Sequence, residues 1–278
     1  MKVFTNNTKL LMFLIISVLF ISCSSDDNDD VIEDDNLSIE DTTRAAQVDN
    51  IVENSLNIME NGYVESEEGR ASMVTFFPAC TTITINPDGA GGGMIVLDFG
   101  DSCTLNNGSV VSGKINLTYN AIVNGSRTIQ YNYENFTYNT HGVSGGGTVL
   151  REIENDNGNP QSTVNETITV NLSNTDITAT REAFRIAEWT EGVGSGTWTD
   201  NVYSVTGNWE TTFSNGFSRS GEVITPLIRK LSCIYLVSGR IEITQQLLTG
   251  AIDFGDGECD NLATLIFNGQ EFPIIIGG

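Results

Sequence analysis

From about residue 72 to the C-terminus, apolar and polar residues alternate with a period of two. Ile115, Leu117, Tyr119, Ala121 and Val123 form one such run, Ile129, Tyr131 and Tyr133 a second, and Ile168, Val170 and Leu172 a third. Successive side chains of a strand point to opposite faces, so each run has one buried face and one wet face. That pattern belongs to antiparallel meanders, because strands of parallel sheets are apolar on both faces. The runs are separated by Asp88-Gly89, Asn107-Gly108, Asn124-Gly125, Gly145-Gly146-Gly147, Asn157-Gly158, Asn215-Gly216 and Asn268-Gly269, residues suited to tight turns. Five prolines are too few to interrupt many strands. The expected fold is all-β: residues 72–278 form a large antiparallel meander, either a sandwich or an open half-barrel.

One helix is expected ahead of it, over residues 38–63. Ala45, Val48, Val52, Leu56, Met59 and Tyr63 recur at steps of three and four, an apolar stripe of helical period. Ser38 and Asp41 have the spacing of a capping box, and Gly62 is placed to stop the helix. A stripe one face wide has to lie against apolar surface, which only the sheet offers.

The first 37 residues read differently. Lys2 and Lys9 precede an apolar run, Leu10 to Ile21, that is short for a membrane span and suits a signal peptide over residues 1–22. The run ends in Ser22-Cys23, a small residue before a cysteine, and Asp26, Asp27, Asp29 and Asp30 follow. This arrangement resembles the lipoproteins that Bacteroidota export to the cell surface. The resemblance implies cleavage before Cys23, acylation of Cys23, and an acidic export mark after it. Residues 23–37, rich in Asp, Asn and Ser, then form an acidic tether too polar to fold. Several acyl chains would anchor the protein firmly in the outer membrane, facing outward.

The charge balance narrows the partners. Thirteen Lys and Arg face 36 Asp and Glu, and residues 26–68 hold 15 of the acids against the single Arg44. Such a chain repels nucleic acid and anionic headgroups. His141 is the one histidine, which disfavours zinc hydrolases and any Ser-His-Asp triad.

Cys80, Cys103, Cys233 and Cys259 form an even set, read as disulfides outside the cytoplasm. Four cysteines allow three pairings, and hairpin arithmetic favours one. The midpoint of 80 and 103 falls in the Gly89–Gly93 turn, and that of 233 and 259 falls at Gln246. Chain reversal there brings Cys80 to Cys103 and Cys233 to Cys259.

Both C-terminal partners of these pairs follow an echoed motif. Asp98-Phe99-Gly100-Asp101 recurs as Asp253-Phe254-Gly255-Asp256, and Ser112-Gly113-Lys114-Ile115 matches Ser238-Gly239-Arg240-Ile241. The order of the two elements is exchanged, so two related hairpins at opposite ends of one sheet fit better than a tandem repeat. These features are similar to a family of Bacteroidota surface lipoproteins carrying two Asp-Phe-Gly-Asp-x(1–2)-Cys elements. The resemblance implies no activity.

Three constellations are candidate sites. Asp253, Asp256, Glu258 and Asp260 place four carboxylates in eight residues, a candidate calcium site, although Asp and Gly at strand ends more simply build a turn. The midpoint of Trp189 and Trp198 falls within Gly192–Gly196, so a hairpin there would pair them as a ligand platform or a cross-strand aromatic pair. Glu188 and Glu191 flank Trp189 and are the candidate acid–base pair of a glycoside hydrolase. His141, among Gly and Asn, reads as an exposed loop residue. The expected function is a non-catalytic surface lipoprotein whose sheet and helix enclose a glycan, lipid or protein ligand; the alternative is a carbohydrate-active enzyme.

Overall fold

The computed structural model describes residues 39–68, 76–195, 197–233 and 235–276. The expected signal peptide and tether, with Cys23 and Ser38, lie outside the described residues. Helix α1 spans Ile39–Tyr63. The strands are β1 (Thr82–Pro87), β2 (Gly93–Asp98), β3 (Cys103–Thr104), β4 (Val110–Tyr119), β5 (Ser126–Tyr138), β6 (His141–Glu152) and β7 (Gln161–Asn171). They continue as β8 (Thr178–Glu191), β9 (Val202–Phe213), β10 (Ser218–Lys230), β11 (Ser238–Gln245), β12 (Leu248–Asp256), β13 (Leu262–Phe267) and β14 (Gln270–Ile275). All lie in one antiparallel sheet in chain order, with the short β3 beside β4. Among the described residues the strands form this one sheet, which does not close into a barrel.

The helix decides how that sheet is shaped. Arg181 and Arg185, four residues apart on β8, meet Asp49 and Glu60 of α1. The helix therefore runs along the strands rather than across them. Yet it touches Leu97 of β2 at Gly62 and Gln245 of β11 at Thr42. Those strands are eight spacings apart, about 38 Å in a flat sheet, while a helix is about 10–12 Å across. The sheet must curl around α1, giving an open half-barrel with the helix inside.

Each member of the expected helical stripe is buried: Ala45, Val48, Val52, Leu56, Met59 and Tyr63 are at most 5% exposed. They pack on the inner residues of β2 to β7, among them Ile95, Leu97, Ile115, Leu117, Ile129, Ile168 and Val170. Glu40 and Asp41 in the first turn suit the positive end of the helix dipole.

Several local expectations are corrected. Gly62 does not stop the helix: it lies inside α1, where a Cβ would run into the buried Leu97 side chain. The β4 strand ends at Tyr119 rather than Val123, because the Asn120 side chain caps the Thr128 N–H and Val123 already pairs with Ser126 across the turn. Asn124 and Gly125 have φ of 51° and 78°, as a two-residue type I′ turn requires. Gly145-Gly146-Gly147 is not a break but the middle of β6. A Cβ at any of the three would strike the backbone of β5 or β7, so glycine here permits close strand approach. His141 is no free loop residue. It opens β6, accepts the Ser173 N–H at Nδ1 (3.0 Å) and meets the Gln47 side chain of α1 at Nε2 (2.9 Å).

The echoed motifs form equivalent corners. Asp98 pairs with Lys114 at 3.0 Å and accepts the Gly100 N–H, while Asp253 pairs with Arg240 at 2.8 Å and accepts the Gly255 N–H. Gly113 and Gly239, at φ of 78° and 106°, form the bulge beside each. Cys80 joins Cys103 and Cys233 joins Cys259, with Cα separations of 5.5 and 5.7 Å. The intervening reversals fall at Asp88–Gly92 and Gln246–Leu247, as the arithmetic placed them.

Candidate functional site

The inner face of the half-barrel changes character at β7. Up to that strand it is mostly apolar, with Arg127 and Arg151 near the helix C-terminus; on β7 to β10 it carries Glu166, Arg181, Arg185, Trp209, Arg219 and Arg229. Register explains the grouping. Glu166 lies opposite Ala183 and Ile168 opposite Arg181, so Arg181, Ala183 and Arg185 share the inner face of β8. Arg181 lies opposite Thr211, which lies opposite Arg219.

A second stripe of α1 answers these cations. Asp49, Glu53, Asn57 and Glu60 recur at steps of four and three, beside the apolar stripe. Arg181, whose side chain is 3% exposed, bonds Asp49 and Glu53 at 3.0 Å each. Arg219 approaches Asp49 at 3.1 Å and Arg185 approaches Glu60 at 3.3 Å. The Arg181 guanidinium also lies 4.9 Å from the Trp209 ring centre, a cation–π contact. Gly221 across the strand leaves room for that indole.

Two carboxyls in this network are perturbed. Burial raises Asp49 above the usual carboxylate value, against the pull of Arg181 and Arg219. Burial also pushes Glu166 to about 7, although the Tyr131 hydroxyl donates to it. Gly147 lies between Tyr131 and Glu166 in the register, and a Cβ there would come within 2.8 Å of the Glu166 Cβ.

The Glu166 shift has a definite sign. A folded-state value of about 7 against 4.5 means the folded protein holds a proton that the unfolded chain has released. That stabilising contribution is complete below pH 4.5 and is lost as the pH rises to about 7. Glu166→Gln removes the loss, so its stability relative to wild type should climb by about 3 kcal/mol between pH 4.5 and pH 8. Urea midpoints of both proteins across that range measure it; a constant difference would contradict the buried acid.

Beyond the charged band α1 reaches the sheet through Thr42 and Gln245 of β11, and beside that contact a cavity of about 690 Å³ opens. Its far wall is apolar: Val223, Leu227, Ile241, Ile243, Ile252 and Phe254. All but Leu227 are half-buried, although they face inward. The sheet itself makes the space. Between Glu222 and Leu227 the β10 ladder slips, so residues 223–226 bulge where β9 offers Thr206 and Gly207. Gly207 has no side chain, and a Cβ there would strike the β8 backbone. A smaller cavity of about 100 Å³ lies toward the helix C-terminus, and Arg185 and Arg229 line both.

The residues singled out in the sequence are placed as follows. Trp189 faces Tyr203 across the β8–β9 ladder and stacks on it, with ring centres 5.9 Å apart. It does not face Trp198, because residues 192–201 form a long loop rather than a tight hairpin. The Trp198 side chain is outside what is described. Glu188 points to the outer face, where Asn157 and Asn159 donate to it and hold its carboxyl below the usual value. That is opposite to what a general acid needs, and Glu191 pairs its backbone with Val202 at the strand end. Of the candidate calcium ligands, Asp253 is engaged by Arg240 and Gly255, and Asp260 caps the Leu262 N–H at 2.9 Å. Asp256 and Glu258 are exposed, and no three metal-ligating groups converge among the described residues.

Comparison with known proteins finds no matching family model, no matching curated protein and no matching solved structure. Among the described residues no helix is long and apolar enough to cross a membrane. The site therefore has to be read from its own geometry.

Sequence reading missed this site because its arginines occupy positions that look wet. On β8 the alternation of Ala179, Arg181, Ala183, Arg185 and Ala187 runs against Phe184 and Ile186 on the other face. The signal present was the pairing of that Ala-Arg series with the Asp49-Glu53-Glu60 stripe.

Proposed function

We propose that this chain is an outer-membrane lipoprotein, held by acyl chains on Cys23, facing the exterior and binding a ligand without catalysis. The observation that carries the binding reading is the cavity of about 690 Å³ between α1 and β8–β12, within the usual range of ligand sites. It has one charged wall and one apolar wall, and its opening is built by a bulge and a glycine rather than left by poor packing. The anchoring reading rests on Ser22-Cys23 and the acidic run after it.

One observation favours a second reading, glycoside hydrolysis. Glu166 is a buried carboxyl titrating near 7 at the cavity wall, the property of a general acid. The two are separated by assay of the mature chain on polysaccharides and aryl glycosides. No turnover is expected, and turnover abolished by Glu166→Gln would establish the enzyme instead. Anchoring is tested by metabolic labelling with a fatty-acid probe: wild type is labelled and Cys23→Ala is not.

A further inference from the structure

The ion pairs around the cavity are unevenly distributed. Four guanidiniums line it, of Arg181, Arg185, Arg219 and Arg229. Arg181 and Arg219 share Asp49, Arg181 also holds Glu53, and Arg185 holds Glu60. Arg229 makes no ion pair among the described residues; its hydrogen bond goes to the neutral Asn57 side chain at 3.0 Å. The remaining carboxyl, Glu166, accepts from the Tyr131 hydroxyl. A largely desolvated cation with no carboxylate in contact is costly, and it is unexpected in a chain of formal charge −23. Burial and the neighbouring Arg185 outweigh the more distant Glu60 and Glu53, neither of which reaches it as an ion pair, and lower its hold on the proton. Directly beside it, the inner face of β10 continues to Leu227, and from there the apolar wall runs through Ile241 and Ile252 to Phe254.

We infer that the cavity takes a single-chain amphiphile with one anionic head, in class a fatty carboxylate, its head on Arg229 and its chain along Leu227, Ile241, Ile252 and Phe254. The inference rests on the reading of this cavity as a ligand site. A carboxylate supplies the missing partner of a guanidinium in bidentate geometry, and an alkyl chain covers a wall that α1 leaves bare. A neutral glycan satisfies neither requirement. A cationic amphiphile would meet Arg229 with like charge.

Calorimetric titration of the mature protein with decanoate, 1-decanol and decylammonium, each below its micelle concentration, tests this. Decanoate should bind one to one and at least tenfold more tightly than decanol, with decylammonium weakest. Arg229→Gln should bring decanoate to the affinity of decanol and leave decanol unchanged, while Arg229→Lys should retain part of the preference. Ile252→Trp, which fills the cavity, should weaken decanoate and decanol together. Unchanged thermal midpoints show that each variant is folded. Equal binding of decanoate and decanol, or decanoate binding indifferent to Arg229→Gln, overturns the anionic head while the cavity remains a binding site. Absence of binding by all three probes overturns the amphiphile, and bound mass on the native protein then decides the ligand-site reading separately.

Discussion

Replacing Arg181 by Met should cost about 3–5 kcal/mol, the range for breaking one side of a buried ion pair. Arg181 is the most enclosed cation of the inner face and holds two carboxylates of α1, so its loss affects helix and sheet at once. Glu53 is 44% exposed and turns to water at small cost, but Asp49 is 19% exposed and keeps only Arg219. With less positive charge nearby, Asp49 is raised further than burial already raises it. The deficit should therefore be largest at pH 8 and shrink as the pH falls and Asp49 takes up its proton. Adding Asp49→Asn should recover part of the loss at pH 8, and urea denaturation of the single and double variants reads both effects. A cost below 1 kcal/mol would mean that the ion pairs are solvated and do not hold α1 in place.

Removing both disulfides should have the largest effect of any conservative change. Cys80–Cys103 and Cys233–Cys259 close loops of sequence separation 23 and 26, each contributing roughly 3 kcal/mol by the loop-entropy estimate. They sit in opposite halves of the sheet, one on β3 and the other joining the segments after β10 and β12, so their contributions should add to about 6 kcal/mol. Cys80→Ala/Cys103→Ala, Cys233→Ala/Cys259→Ala and the fourfold variant, compared by thermal midpoint, measure this. Peptide mapping without reduction should recover these two linkages, and a Cys80–Cys233 peptide would contradict the fold.

These pairings were legible because they depend only on where a hairpin reverses, and the reversals at Asp88–Gly92 and Gln246–Leu247 are marked by residue type. The helix was legible for a similar reason: six apolar residues at helical spacing all turn out buried. The faces of β8 were not. A one-residue shift of register exchanges the faces of a strand, and Phe184 and Ile186 suggest the wrong choice until Arg181 and Arg185 are matched to α1. The glycines misled for a physical reason too. In isolation Gly145-Gly146-Gly147 reads as a turn; inside a tightly curled sheet the same residues admit neighbouring backbones. The cavity was the least legible feature, since it arises from a bulge at residues 223–226 of β10 facing Gly207, a coincidence between two strands that periodicity within either cannot reveal.

The central claim is that the space between α1 and β8–β12 is occupied in the working protein. Native mass spectrometry of the protein, purified gently from the cells that make it, addresses this most directly. Wild type should carry a non-covalent mass, distinct from the acyl groups proposed at Cys23 and released on denaturation, and Ile252→Trp should lack it while remaining folded. Identical spectra for the two proteins, with no dissociable mass on either, would contradict the account.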